Sequence, residues 1–265
     1  MVKAVPTWLR IVAWVFVILT GMLLLVPLVV VVGVSVSESQ FIVFPPQGFT
    51  LRWYEKALGS REYVEAFWLS LRLAVLVTVS ATIIGGAGAI ALSKRGRGGA
   101  LESFFLSPLV IPSIIFAIGM LMLWSWAFGP TSFLALWIAH TIVTLPYVVR
   151  TTLAVLAESD PFLEEAARTM GASRLRRLWH VVMPQCRPGM IAGAFFAFNI
   201  SFDEAVLSLF LRNPGLNTLP VQIYGQLEFS PDPTVAAVST LMILLSVGMI
   251  LILDRALGLT RFANA

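Results

Sequence analysis

The sequence predicts an all-α, polytopic membrane protein with six transmembrane helices, and three observations predict it. Of its 265 residues, 58% are hydrophobic and only 12% are charged, against about 45–50% and about 25% in soluble domains. The charges are bunched, leaving apolar runs of about 20 residues, long enough for a hydrocarbon core of about 30 Å. The alternation of period two that marks an outer-membrane barrel is absent.

Taken in chain order, the spans run roughly Ile11–Val34, Ala66–Leu92, Phe104–Phe128, Ser132–Leu156, Gly189–Leu211 and Thr234–Leu253. Lys3 and Arg10 precede the first. Its apolar run of about 24 residues exceeds a signal-peptide core of about 7–15, so an uncleaved anchor is expected. After it comes an outer segment, about residues 35–65, with Phe44-Pro45-Pro46 and then Trp53-Tyr54. Thr50 suits the cap of a short helix there, and Trp53 and Tyr54 suit the headgroup belt. This segment reads as a brace for the first two spans or as a contact surface for an external partner.

Gly85-Gly86-Ala87-Gly88-Ala89 in the second span allows a neighbouring backbone to approach closely. Pro108 and Pro112 should bend the third by removing backbone donors. Trp124, Trp126 and Trp137 flank the next turn and read as interfacial anchors. His140 in the fourth span reads as an interhelical hydrogen-bonder. In the fifth, Phe195, Phe196, Phe198, Phe202 and Phe210 read as packing.

Basic residues orient the chain. Thirteen Lys and Arg, counting Arg150 near the inner end of the fourth span, fall in or beside the two termini and the even-numbered connections, against four (Arg52, Lys56, Arg61 and Arg212) on the opposite side, with Arg72 inside the second span. Both termini and the segment of about residues 157–188 are therefore expected on the cytoplasmic side. The formal charge of +4 sits in short loops and does not point to nucleic acid. Single Cys186 excludes an internal disulfide, and His140 and His180 lie in different segments, so no metal site is expected.

The cytoplasmic segment is polar, basic and helix-forming. Asp160-Pro161 reads as an N-cap with proline at the first helical position. Phe162, Ala166 and Met170 form an apolar stripe, with Glu164, Glu165 and Arg168 on the other side. Gly171 closes this helix as a left-handed cap. Ser173 caps a second, amphipathic helix carrying Leu175, Leu178, Trp179 and Val182. Arg174, Arg176 and Arg177 face elsewhere, and Pro184 is expected to stop it. Two readings stay open: the paired alanines and the acidic Glu164 and Glu165 dock into a partner's groove, or the basic helix lies on the bilayer.

This segment resembles the EAA loop of the inner-membrane permease subunits of binding-protein-dependent ABC importers. The family's pattern is Glu-Ala-Ala, three residues, Gly, nine residues, then Ile, one residue and Leu-Pro. Glu165, Ala166, Ala167, Gly171 and Pro184 match it in spacing, with Val181 and Met183 replacing the Ile and Leu. Ser201-Phe202-Asp203-Glu204, Thr218-Leu219-Pro220-Val221 and the outer Phe44-Pro45-Pro46…Trp53-Tyr54 pattern resemble the spermidine/putrescine-type subfamily, and the likeness covers essentially the whole chain.

The resemblance implies one permease domain over residues 1–265, multi-pass in a bacterial inner membrane, with a cytoplasmic coupling-helix loop. It implies a second permease subunit, a different polypeptide, together with two cytoplasmic ATPase subunits and an external solute-binding protein. ATP and Mg would bind the ATPase and no cofactor this chain, which lacks a Gly-x-x-x-x-Gly-Lys-Ser/Thr loop and is not itself expected to be an enzyme. Glu164, Glu165, Ala166, Ala167, Gly171 and Pro184 would serve ATPase coupling. A polyamine or related small organic solute is the implied substrate.

Asp203 and Glu204, with Ser201, are the substrate-path candidates. They lie about 14 residues, or about 21 Å, into the fifth span. Charge at mid-bilayer costs roughly 2.5–3.5 kcal/mol on insertion scales, so such groups face a cavity or a partner. Solute contact is one reading; pairing with Arg212 or Arg72, or a bond across a subunit interface, is the other. A secondary transporter driven by an ion gradient is the rival from another class, but it leaves the EAA-like loop without a purpose, and no internal repeat supports it.

Overall fold

A computed structural model describes residues 6–94, 99–160 and 162–257. Among them the chain is helical, with no strand. Four helices are long and apolar enough to cross a membrane unaided: α1 (Thr7–Ser35), α3 (Arg61–Ser93), α6 (Phe133–Glu158) and α12 (Thr234–Leu257). Counting each of two bent pairs as one span gives six.

The first bent pair corrects the predicted third span. Instead of one bent helix over Phe104–Phe128, α4 (Ala100–Leu106) and a 3-10 turn (Ser107–Leu109) meet α5 (Ser113–Phe128) at 100°. Pro112 has no N–H to offer the carbonyl of Pro108 and disfavours helical geometry at Ile111, so the ladder breaks rather than tilts. The 16 residues of α5 reach only about 24 Å.

The second correction concerns Pro184, which does not stop a helix. α8 (Arg174–Arg177) runs through a π-turn (Leu178–Val182) into α9 (Met183–Asp203). The Met183 N–H bonds Leu178 O, one residue further back than in an α-helix. This wider turn accommodates a ring that would otherwise clash with the carbonyl four residues earlier. α9 then breaks at Glu204, which is extended, and α10 (Ala205–Leu211) departs at 52°.

The chain divides into two compact units, residues 1–61 with 223–245 and residues 62–222 with 246–265. In the first, α2 (Arg52–Gly59) folds against the chain after α1. Trp53 is buried and its Nε1 donates to Ser37 O at 2.8 Å, while the Tyr54 and Ser35 hydroxyls lie 2.7 Å apart. Through these bonds both aromatics brace the end of α1, the bracing role expected of this segment for the first span. Thr50 Oγ1 accepts the Arg52 N–H at 3.2 Å, and Lys56 Nζ pairs with Asp232 Oδ2 at 2.6 Å.

In the second unit, Leu73 and Val77 of α3, Ala117 of α5, Leu136 and Ala139 of α6, and Leu207 and Leu211 of α10 form one buried cluster. The expected close approach at Gly85 is present: a Cβ there would lie 2.9 Å from Val148 Cβ. α6 and α9 share a tighter seam at Gly189 and Gly193, which the sequence reading did not single out. Phe198 stacks on Phe202 at 5.7 Å, as packing. Of the three expected tryptophan anchors only Trp126 faces outward. Trp124 is buried and donates to Pro130 O, and Trp137 donates to Ser80 Oγ at 3.0 Å.

Candidate functional site

The polar helix-turn of about residues 160–177 is built from three caps that the sequence announces. Asp160 Oδ1 accepts the Phe162 N–H at 2.9 Å and starts α7 (Phe162–Thr169); Pro161 lies outside the described residues. α7 ends at Gly171, whose φ of 80° is left-handed. The Ala172 N–H reaches Ala167 O and the Gly171 N–H reaches Arg168 O, each at 3.0 Å, the paired bonds of a Schellman turn. Space does not require glycine here, since an added Cβ would meet nothing within 4 Å. The backbone angle does. Ser173 Oγ then accepts the Arg176 N–H and opens α8.

The faces of α7 differ from the expectation. Ala167 is buried and Glu164 half-buried, whereas Phe162, Leu163, Ala166 and Met170 are exposed. The paired alanines thus separate, one inward and one outward. Glu164 does not project beside Glu165: its Oε1 accepts from Lys94 Nζ at 2.9 Å and pairs with Arg177 Nε at 3.6 Å. The Lys94 hydrogen bond, reinforced by Arg177, holds the Glu164 carboxyl below the usual carboxylate range although partial burial opposes this. Glu165 is exposed, and among the described residues its carboxylate pairs with Arg168 of its own helix, at 3.4 Å. Arg177, expected outside, is half-buried and donates through Nη1 to Ala172 O at 3.0 Å.

The second helix is likewise split. Leu175 and Trp179 are exposed, Leu178 is half-buried and Val182 is buried, so only the end nearer α9 packs inward. Pro184 belongs to this continuous helix, apart from the α7 residues with which the spacing grouped it.

The three substrate-path candidates meet at the α9–α10 break but in different environments. Ser201 is buried, with its hydroxyl 3.1 Å from His140 Nδ1. On the other side of the break Ser208 Oγ lies 3.2 Å from His140 Nε2. The histidine therefore fills the expected interhelical role and Ser201 faces the interior. Glu204 Oε1 accepts the N–H groups of Val206 and Leu207, at 3.0 and 3.2 Å, and caps α10 instead of pairing with Arg72 or Arg212. Asp203 is the exposed member of the set and makes no ion pair with either arginine.

Lys94, Arg177 and Ser208 were missed as partners. Lys94 and Glu164 are 70 residues apart and His140 and Ser208 are 68 apart, so no local period links them. Among the described residues no group of three His, Cys, Asp or Glu could hold a metal.

Broken and unbroken apolar helices, joined by a capped polar helix-turn, define a multi-pass membrane protein of the transport-permease class. The chain belongs to the family described as "Binding-protein-dependent transport system inner membrane component", which matches residues 81–259. It is thus a permease component of an ABC-type importer.

Among curated relatives it is 32% identical over 230 residues to the spermidine/putrescine transport system permease protein PotC of Escherichia coli (strain K12), covering 86% of this chain and 87% of that one. It is 30% identical over 226 residues to the putrescine transport system permease protein PotI of the same organism, covering 82% and 80%. Among solved structures the fold matches a bacterial ABC transporter involved in import of the acidic polysaccharide alginate, with TM-score 0.72, 17% identity and coverage of 94% and 96%. The MetNI methionine ABC transporter follows at TM-score 0.61 and 20% identity, covering 73% and 94%.

Proposed function

We propose that this chain is one of two membrane subunits of an ATP-driven polyamine importer and that α7 is its coupling helix. One observation carries the reading. α7 is held on its Glu164 and Ala167 side by its own chain and leaves Leu163, Ala166 and Met170 outward as an apolar face beside the Gly171 turn. A short apolar face on an otherwise polar loop suits a partner's groove. Glu165 at its edge, paired only with the exposed Arg168 of the same helix among the described residues, offers a solvent-facing charge for orientation.

In this reading residues 1–265 form one permease domain in the bacterial inner membrane, with both termini and the loop of about 157–188 cytoplasmic and the segment of about 35–65 external. Two ATPase subunits bind ATP and Mg and carry out hydrolysis. A second permease of different sequence completes the path, and an external binding protein delivers solute. Closure of the ATPase pair displaces α7 as a rigid element, and the spans tilt between two states. Pro184, in the first turn of α9 directly after the π-turn, receives that displacement at the start of the span.

The relatives named for spermidine and putrescine support an amine substrate. Asp203 is the group suited to meet it, because an exposed carboxylate near a break in a span attracts a cationic amine. Glu204 and Ser201 frame that position by capping α10 and anchoring His140.

Reconstitution with the ATPase, second permease and binding protein tests this. ATP-dependent putrescine uptake is expected, and Asp203→Asn should weaken it while expression holds. Uptake that persists without any ATPase would defeat the reading.

A further inference from the structure

We propose that Glu164 is a positioning residue, a latch that fastens α7 to the end of α3 through Lys94 and to α8 through Arg177, so that displacement of α7 reaches both. The inference rests on α7 being the coupling helix.

Adjacent carboxylates here have opposite surroundings. One residue on a helix turns the side chain by about 100°, so Glu165 points outward and Glu164 points at its own chain. The Glu164 oxygen meets cations from two separate elements, at 2.9 and 3.6 Å. Both cations are tied to structured elements. Lys94 follows directly on α3, a helix of 33 residues and hence about 50 Å. That helix is locked further along against α6 where Gly85 meets Val148. Arg177 Nη1 is tied to Ala172 O, the residue closing the Gly171 turn. Among the described residues the buried Arg177 Nε has no acceptor within hydrogen-bond distance, and it faces Glu164 Oε1 at an ion-pair distance of 3.6 Å. Cap, turn and latch are therefore one network.

A second contact works on the same side. Ala167, three residues on from Glu164 and so on the same face, is buried where α7 packs on the π-turn and α8. Apolar contact holds α7 to the elements that follow it, and Lys94–Glu164 adds a link to α3. Breaking that link leaves α7 attached at one end of its leverage only.

Exposure argues that the pair serves position more than stability. The Lys94 and Glu164 side chains are 52% and 34% exposed, and ion pairs so open contribute little to folding. Loss of the pair should therefore leave the subunit inserted and docked but transmit less.

The test uses the complete complex, with this chain, the second permease and the ATPase co-expressed and placed in lipid, and putrescine with the binding protein as the transported probe. Three variants are compared: E164Q, K94Q and the exchange K94E/E164K. E164Q and K94Q are expected to retain the ATPase on purification. Putrescine moved per ATP should fall by about fivefold or more, the low end of ordinary coupling factors. The exchange should recover most of it, which a merely structural lesion would not do. Loss of the ATPase from E164Q would overturn the proposal by making Glu164 a partner contact. Unchanged uptake per ATP in both single variants would overturn it as well. Should E164Q insert poorly, K94Q leaves the α7 sequence intact and decides the matter. A wild-type complex that binds no ATPase would instead defeat the coupling-helix reading itself.

Discussion

Gly193 of α9 lies so close to Val148 of α6 that a Cβ on the glycine would stand 2.6 Å from the Val148 Cα. The neighbour is backbone and cannot swing away. Gly193→Ala should therefore force the two helices apart and cost about 1–3 kcal/mol, the range for overpacking. Gly119→Ala is the control, since nothing lies within 4 Å of a Cβ there. It should be neutral or stabilising by up to about 1 kcal/mol. Thermal unfolding in detergent reads both, and equal shifts would contradict the seam.

His140 joins the two sides of the α9–α10 break through Ser201 and Ser208, both buried. His140→Leu strands two hydroxyls, each at a cost of about 1–3 kcal/mol in a protein interior; a total near the lower end is expected, because interhelical bonds in membranes average about 0.6 kcal/mol each. Removing the hydroxyls as well, in H140L/S201A/S208A, should recover part of the loss. Denaturation of the two variants beside the unaltered protein checks the ordering.

At Gly171 the backbone angle sets the requirement, so substitutions should rank by tolerance of left-handed φ. Gly171→Asn should keep most transport, whereas Gly171→Val, with its β-branch, should carry a strain of about 1–3 kcal/mol and lose it. Uptake by the assembled complex measures the order. A Val variant as active as Asn would show that the turn is not held in this form.

Proton linkage gives an independent check on Glu164. Its carboxyl is held below the ordinary range by Lys94 and Arg177. A depressed folded pKa stabilises the loop above the ordinary value of about 4.3, and the contribution disappears as pH falls through the lowered folded value. Protection of the α7 amides against hydrogen exchange should stay level from about pH 8 to about pH 5 and decline only below that. In Glu164→Gln this component should be absent at every pH.

How far the sequence could be read depended on the range of each interaction. Asp160, Gly171 and Ser173 act on backbone within three residues, and each does in the structure what its position announced. The glycines near Gly85 carry their meaning in composition. Pro112 was ambiguous because hydropathy averages over a span and cannot separate a bend from a break of 100°. Pro184 misled for a related reason: a π-turn absorbs it, and no local pattern marks that turn. A helical wheel grouped Glu164 with Glu165 as outward charges because it contains no Lys94 at a distance of 70 residues. Glu204 was read through its charge, while its use is as an N-cap exposed only by the break at its own backbone.

Cross-linking from α7 to the co-expressed ATPase addresses the central claim most directly. The single native cysteine, Cys186, is buried, so an introduced thiol reports on its own position. Cysteines at Ala166 and Met170, on the outward face, should form adducts with the ATPase, and a cysteine at Ala167, on the inward face, should not. Absence of an ATPase adduct from Ala166 and Met170, or an equal yield from Ala167, would contradict the account.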